Sequence, residues 1–238
     1  MIITVVTATH NAAAELPGLI ACLRAQTDRG FDWVVIDGAS VDATPSLLAD
    51  AGDVVTRWVS EPDFGIYDAL NKALRTVTQG YYLVLGADDR LDPEAIATYR
   101  AEALRSGADI VTAAVAVDDA VVRPRRGQRI RSGPPLVSCH SVGALIRRSL
   151  HDEVGLYSRR YPIAADTHFL LQVERAGKRV AVVDKVVGRF ATNGVSGRDL
   201  LGALCESYRA NVEVRGGLLR HTAMLVLRIL KNRSRMAG

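Results

Sequence analysis

The sequence lacks the features that mark membrane-spanning, disulfide-rich and zinc-binding proteins. No apolar run reaches the roughly 18–20 residues that a spanning helix needs, and no basic region precedes the apolar residues 1–6, as a signal peptide would require. The three cysteines, Cys22, Cys139 and Cys205, are odd in number, far apart and without a CxxC pair. This pattern excludes a disulfide framework and a zinc site, and we expect a protein of the reducing cytoplasm.

Two nucleotide-binding signatures are also absent. The first predicted strand is followed by TATHNAAAEL, residues 7–16, which contains no GxGxxG, and GxxxxGK[ST] occurs nowhere in the chain. Their absence argues against a Rossmann dinucleotide domain and against a P-loop NTPase. A nucleotide would have to be held by side-chain acceptors instead.

The charge is small and unevenly placed. The net charge is +4, but residues 198–238 carry a net +5 and the first 197 residues about −1. A basic tail on a nearly neutral body predicts an anionic partner for the tail, and it argues against a nucleic-acid partner for the chain as a whole.

What the sequence does contain is a regular alternation of strand and helix patterns through residue 117. The length of 238 residues and the hydrophobic content of 48% suit one substantial domain with a real core. Strands that are apolar throughout and alternate with helical repeats predict an α/β fold with a mostly parallel sheet covered on both faces. The predicted strands are residues 2–8, 31–37, 53–60, 81–87 and 108–117.

The alternation of strand and helix patterns ends after residue 117. Residues 118–135 are rich in Arg, Pro and Gly and predict a hairpin or loop, which is either a solvated edge or a receptor for a phosphate or lipid-phosphate acceptor. A helix near 166–177, a strand over 178–190 and helices from residue 200 follow. The arginines of the loop are Arg123, Arg125, Arg126, Arg129 and Arg131.

Polar residues follow four of the predicted strands, where ligands of an open parallel sheet bind. They are residues 7–11, Asp37, residues 60–63, and Asp88 with Asp89. Four such endings on one edge predict a single binding site.

Each of these endings also has a structural interpretation. Asp37 either accepts hydrogen bonds from a base or ribose, or forms a turn or helix cap. The turn at residues 62–65 presents backbone amides that favour an anion, whereas Lys72 on the following helix is either part of that site or simply solvated. Asp88 and Asp89 point opposite ways on an extended chain, so one of them binds Mg²⁺ or Mn²⁺ together with substrate phosphates. Alternatively, both begin the next turn and cap the helix that starts at Pro93.

The ordered series of these segments resembles the family-2 glycosyltransferases of GT-A fold. The matching segments are TATHN, DGASVDAT, SEPDFGIYDALNKAL, YYLVLGADD and CHSVGALIRR with YPIAADTHFLLQVERAG, and they span roughly residues 1–197. The resemblance is strongest to bacterial exopolysaccharide and glycolipid sugar transferases. It implies a metal-dependent inverting transferase, using Mn²⁺ or Mg²⁺, that moves a sugar from a UDP-, GDP- or dTDP-sugar to a hydroxyl of a glycan or lipid-linked acceptor.

The resemblance assigns roles to the residues of the nucleotide half. Thr9 and Asn11 lie in the first nucleotide loop, and Asp37 contacts the base. Asp63 and Lys72 lie near the ribose and diphosphate.

It also assigns the residues that carry the chemistry. Asp88 contacts the ribose and Asp89 binds the metal, while Asp166 is the general base, for which a helix N-cap is the alternative role. His140 approaches the donor sugar. His168 is either a contact near the acceptor or an exposed helical histidine.

The resemblance divides the chain into a GT-A domain at residues 1–197 and a basic helical tail at 198–238. Within the domain, residues 1–117 form the nucleotide-binding half and residues 118–197 the acceptor half. The tail has three open interpretations: contact with an anionic membrane surface at the inner face of the cell membrane, packing on the core, and homodimer formation.

Two other functions compete with transfer. One is a non-catalytic relative that binds sugar nucleotide or scaffolds an assembly, which the retention of Asp88, Asp89 and Asp166 disfavours. The other is a sugar-phosphate nucleotidyltransferase, which would need a basic, Gly-rich loop after the first strand.

Overall fold

A computed structural model describes residues 1–124, 137–192 and 199–236, with the backbone alone for residues 234–236. Four of the five arginines of the predicted basic loop lie outside these ranges, and Arg123 pairs with Asp184. The strands are β1 Ile3–Thr9, β2 Asp32–Asp37, β3 Arg57–Ser60, β4 Tyr81–Val84, β5 Arg90–Leu91, β6 Ile110–Val117, β7 Ala120–Val122, β8 Ala144–Arg147 and β9 Val180–Phe190. The helices are α1 Leu16–Arg24, α2 Thr44–Asp50, α3 Ile66–Thr76, α4 Ala95–Ser106, α5 Leu150–Val154, α6 Ala165–Arg175, α7 Leu200–Arg215 and α8 Leu218–Met236.

The described strands form one mixed sheet in the order β3-β2-β1-β4-β8-β6-β9-β5, with β7 paired to β6. The first four strands are parallel, as the alternation predicts. Strand β8 then enters antiparallel between β4 and β6. The sheet therefore joins a parallel half to a half of mixed direction.

Alternate residues of the central strands supply two separate cores. Val5 and Leu83 point into one cluster, with Leu19 of α1 and Tyr99 of α4. Their chain neighbours point into a second cluster, which packs against α3 and α6. Helices thus cover both faces of the sheet, which explains why the strands are apolar throughout.

Several local predictions needed correction. The third strand begins at Arg57 and not at residue 53, because Val54 and Val55 fill the core from a turn in which both amides donate to Ala51. Strand β8 and the short helix α5 were not predicted. Both are too brief to show a clear period in the sequence.

The C-terminal helices are present, and they pack in series. Helix α7 lies on α6, and α8 lies on α7. Of the helices in the described ranges, none is long and apolar enough to cross a membrane.

Candidate active site

The Asp37 carboxylate lies at the centre of the edge formed by the ends of β1, β2 and β3. It ends β2, is fully buried, and lies between the ends of β1 and β3. Its oxygens accept from the Thr9 hydroxyl at 3.1 Å, the Ser60 hydroxyl at 2.6 Å, and both the amide (2.9 Å) and hydroxyl of Ser40. Burial acts to raise the pKa of Asp37, but these hydrogen bonds outweigh it and leave the pKa below its ordinary value.

Four donors occupy the roughly four acceptor positions of this carboxylate. Asp37 therefore ties three strand ends together, and the turn interpretation is correct in that Ser40 folds back onto it. A ligand N–H would reach Asp37 only if one of the hydroxyl donors turned away.

The loops around Asp37 are held by their own side chains. Asn11 has a left-handed backbone with φ of 49°, donates its amide to Ser40 at 2.7 Å and accepts from the Val41 amide at 3.0 Å. Gly38 leaves room for Asp63, because a Cβ at Gly38 would lie 2.7 Å from Asp63 Oδ2. The structure thus brings Thr9, Asn11, Asp37 and Asp63 together at one edge of the sheet.

Lys72 is not a solvated lysine. Its ammonium lies 2.8 Å from a Glu61 carboxylate oxygen and donates to the Pro62 carbonyl at 2.7 Å. Asp63 accepts from the Gly65 amide at 2.8 Å. These bonds fix the turn at residues 61–65 ahead of α3.

Asp88 and Asp89 differ in environment. Asp89 is 1% exposed and accepts from the Gly86 amide at 2.7 Å, the Ala191 amide at 3.0 Å and the Ser141 hydroxyl. Burial raises the pKa of Asp89 to about 6. Asp88 is half-buried. Neither caps α4, which begins at Ala95 without a side-chain cap, so the capping interpretation is wrong.

Asp166 lies in the first turn of α6 but is not its N-cap, a position that Ala164 holds. Its carboxylate accepts from the Thr167 amide at 2.6 Å. The Tyr67 hydroxyl donates to the Ile163 carbonyl at 3.0 Å. Burial, reinforced by the nearby Asp166 charge, raises the pKa of Tyr67 well above its ordinary value.

The two histidines that were predicted as sugar or acceptor contacts, His140 and His168, lie in different places. His140 lines the cavity beside Asp166, and its Nε2 lies 2.6 Å from the Tyr157 hydroxyl. His168 is 7% exposed, so it is not an exposed histidine. It stacks on Tyr161 at 4.7 Å, 3.5 Å from Glu213 of α7 and away from the cavity lining.

One cavity of about 330 Å³ is lined by three of the predicted acidic residues, Asp88, Asp89 and Asp166, and we call it the carboxylate cavity. Its walls come from the end of β4, the start of α3, the segment before β8, the start of α6 and α7. Thr9, Asn11, Asp37, Asp63, Lys72 and His168 are not in its lining. Its polar lining includes Asp88, Asp89, His140, Asp166, Tyr67 and Ser207.

Glu206 is a positioning residue that sequence reasoning missed. Its carboxylate accepts from the amides of Ile163 and Ala164, both at 2.9 Å, just before the helix that carries Asp166. Ser141 was missed as well, although it donates to Asp89. A glutamate on a surface helix and a lone serine carry no local sequence signal.

A profile of the glycosyl transferase family 2 matches residues 4–155. The chain belongs to this family. The protein is thus a glycosyltransferase with a GT-A fold.

Among its relatives is a PGL/p-HBAD biosynthesis glycosyltransferase of Mycobacterium bovis, 29% identical over 179 residues that cover 70% of this chain and 67% of the relative. Two solved structures show the same fold. S. aureus TarS 1–349 in complex with UDP-GlcNAc has a TM-score of 0.70 at 16% identity, over 98% of this chain and 73% of that one. The mannosyltransferase PcManGT from Pyrobaculum calidifontis, with GDP-Man and Mn²⁺, has a TM-score of 0.72 at 21% identity, over 94% and 69%.

Proposed function

We propose that this glycosyltransferase moves a sugar from a nucleotide diphosphate to a hydroxyl of a glycan or lipid-linked acceptor, in cell-surface polysaccharide or glycolipid biosynthesis, with inversion at the anomeric carbon. The main support for this proposal is that Asp88, Asp89 and Asp166 line one cavity although they come from opposite ends of the domain. Separate groups for the diphosphate and for the attacking hydroxyl are what single-step inversion requires.

Asp166 is proposed as the general base. It lines the cavity from α6, on the acceptor half, while Asp88 and Asp89 line it from the nucleotide half. A carboxylate there takes the proton of the acceptor hydroxyl as that oxygen attacks the anomeric carbon.

The residues present fit a divalent cation that arrives with the donor. In the described ranges no group of three or more His, Cys, Asp or Glu residues can hold a metal. One or two carboxylates completed by phosphate oxygens are, however, a usual Mg²⁺ or Mn²⁺ site. We assign Asp89 as the metal ligand and Asp88 as the ribose contact; the cation would neutralise charge on the leaving diphosphate.

The donor is proposed to be a UDP-, GDP- or dTDP-sugar. This is supported by the fold shared with structures that hold UDP-GlcNAc and GDP-Man with Mn²⁺. Thr9, Asn11, Asp37 and Asp63 would form the nucleoside edge, with Lys72 holding the adjacent turn. Residues 1–117 would hold the nucleotide and 118–197 the acceptor, with α7 completing the wall.

The test is donor hydrolysis over a panel of UDP-, GDP- and dTDP-sugars with and without Mn²⁺. Asp166→Asn should lower turnover by about 10²–10⁴-fold while leaving donor affinity unchanged. Asp89→Asn should abolish activation by Mn²⁺, whereas Asp88→Asn should weaken nucleotide binding and keep that activation.

Three results would contradict parts of this proposal. The reverse pattern for Asp88→Asn and Asp89→Asn would exchange their roles. Donor binding without any turnover would indicate a scaffold, and a product of retained configuration would exclude single-step inversion.

We further propose that α8 rests on an anionic membrane surface at the inner face of the cell membrane. Leu219, Val226, Leu227 and Leu230 form an exposed apolar stripe along one side of the helix, and His221 on the opposite side is buried. No acidic residue follows Glu213 in the sequence, while α8 carries Arg220, Lys231 and Arg233 beside the stripe and Arg228 on the side of His221. An apolar stripe with basic flanks is the pattern of an interfacial helix.

Vesicle co-sedimentation tests this placement. Leu227→Ser, at a position 66% exposed, should reduce binding to phosphatidylcholine vesicles that contain phosphatidylglycerol. Leu104→Ser on α4, 64% exposed, is the matched control and should bind like the wild type. Equal binding by both variants, or a concentration-dependent dimer that Leu227→Ser dissociates, would contradict the membrane placement.

A further inference from the structure

A chain of hydrogen bonds leads from the carboxylate cavity into the second core. His140 Nε2 lies 2.6 Å from the Tyr157 hydroxyl, which lies 2.7 Å from the Tyr82 hydroxyl. Tyr82 in turn lies 2.7 Å from His151 Nε2, and His151 Nδ1 lies 2.9 Å from the Gly155 carbonyl oxygen. The chain thus joins four aromatic side chains and ends on a backbone group.

The last partner fixes the direction of every bond, because a carbonyl oxygen only accepts. His151 Nδ1 must carry the proton, and burial lowers the pKa of His151 to about 4, so its Nε2 is a bare acceptor. Tyr82 therefore donates to His151, Tyr157 donates to Tyr82, and the Tyr157 oxygen is left to accept from His140 Nε2–H.

The aromatic members are held independently of any ligand. Asn71 of α3 clamps the Tyr157 backbone, donating to its carbonyl at 2.8 Å and accepting from its amide at 3.0 Å. His151 stacks on Phe169 of α6 at 4.3 Å. The chain is therefore built into the packing of α3 and α6.

From this direction we infer that His140 presents a bare Nδ1 to the carboxylate cavity as an acceptor for a sugar hydroxyl. Nδ1 has no hydrogen-bond partner in the parts of the chain that the structure describes, and the ring lines the cavity. A neutral acceptor binds an O–H donor and disfavours phosphate oxygens, so the ligand is the sugar and not the diphosphate. Tyr157, Tyr82 and His151 are positioning residues. The inference deepens the proposed function and rests on it for the nature of the ligand.

The tautomer is measured directly by long-range ¹H–¹⁵N correlation on the histidine-labelled protein. The wild type should show His140 as the Nε2–H form. In Tyr82→Phe, Tyr157 loses its acceptor and can turn to donate to His140, so the Nδ1–H form should appear, although Tyr82 does not line the cavity. An Nδ1–H form in the wild type, or no change in Tyr82→Phe and Tyr157→Phe, would overturn the directed chain.

The ligand is measured by calorimetry with UDP and GDP against UDP-glucose, UDP-GlcNAc and GDP-mannose. His140→Leu should leave UDP and GDP affinities unchanged and weaken binding of the preferred sugar nucleotide about three- to tenfold, the loss of one neutral hydrogen bond. His140→Asn keeps an acceptor oxygen near the Nδ1 position and should recover part of the loss.

The hydroxyl can belong to the donor sugar or to an acceptor sugar, and the arms separate these sources. Unchanged donor affinity with a raised KM for methyl glycoside acceptors would assign it to the acceptor. Unchanged values in both arms would overturn the assignment of a sugar hydroxyl. If the wild type binds no sugar nucleotide, the proposed function fails, while the NMR result still decides the tautomer.

Discussion

At the scale of single residues, Asp37 shows how one carboxylate organises an entire sheet edge. It is fully buried and joins the ends of β1, β2 and β3 through Thr9, Ser40 and Ser60. Its carboxylate must stay charged to accept four hydrogen bonds. The stability of an Asp37 variant, measured without nucleotide, therefore tests the structural role of this residue separately from any contact with a nucleotide.

Asp37→Asn should lower the free energy of unfolding by about 2–3 kcal/mol, since the amide nitrogen would face donors and leave them unpaired in a buried place. Urea unfolding measures this change. Asp63→Asn is the control, because Asp63 is half-buried and accepts one local bond, from Gly65. Equal stability of the two variants would show that Asp37 does not tie the strands.

His151 should make the protein less stable in mild acid. Burial lowers its pKa to about 4 from the ordinary 6.5. Above pH 6.5 both folded and unfolded states hold it neutral, whereas between pH 6.5 and 4 only the unfolded chain takes up the proton. Stability therefore falls as pH falls through this window, by up to about 1.4 kcal/mol per pH unit from this group.

His151→Gln removes this contribution. The loss of unfolding free energy between pH 7 and pH 5 should be about 1–2 kcal/mol smaller in the variant than in the wild type. Parallel pH curves for the two proteins would contradict the expectation, whatever the variant's stability at neutral pH.

At the scale of elements, helix α7 begins with a side-chain N-cap. Asp199 accepts from the Gly202 amide at 2.7 Å, and a Cβ at Gly202 would lie 2.2 Å from an Asp199 carboxylate oxygen. The cap and the missing side chain therefore depend on each other.

Asp199→Ala should cost about 1 kcal/mol through the lost cap. Gly202→Ala should be nearly neutral, because the gain of about 1 kcal/mol in helix propensity is offset by displacing the Asp199 side chain. In the Asp199→Ala background the same change should stabilise by about 1 kcal/mol. Thermal unfolding of the four proteins measures the cycle; strict additivity would show that the two residues act independently.

The elements also show what a sequence can predict. Long apolar strands and the amphipathic helix α3 are visible because each has a strong period, and the order of the strands along the chain predicted that their polar ends share one edge of the sheet. The short β8 and the core-filling turn at Val54 and Val55 have no such period. The chain from His140 to His151 joins residues up to 75 positions apart, so only tertiary packing reveals it.

At the scale of the whole molecule, the two helices of the C-terminal tail, α7 and α8, contact different parts of the protein. Helix α7 lines the carboxylate cavity with Ala203 and Ser207, and Glu206 holds the start of α6. Helix α8 packs on α7 and carries the exposed apolar stripe. We therefore propose a functional boundary between the two helices, whereas the resemblance predicts one at residue 197.

A chain ending at Gly217 should retain donor hydrolysis within about twofold, because it keeps every described wall of the cavity. A chain ending at Asp199 should lose hydrolysis by more than about 10²-fold, since the segment before Asp166 loses the Glu206 acceptor. Hydrolysis and melting curves compare the two. Equal activity would show that α7 is dispensable.

The position of β8 in the sheet has a consequence for synthesis. Strand β4 gains its second neighbour only when β8 is made, about sixty residues later in the chain. Glu206 lies further along still, and the interval between the synthesis of Asp89 and that of Glu206 is on the order of ten seconds at ordinary elongation rates. Until β8 is made, a nascent chain carries an open edge on the largely apolar strand β4, which is a template for misassociation. Ribosome-bound chains stalled before Ala144 should accordingly retain a holdase chaperone, and chains released past Glu206 should shed it.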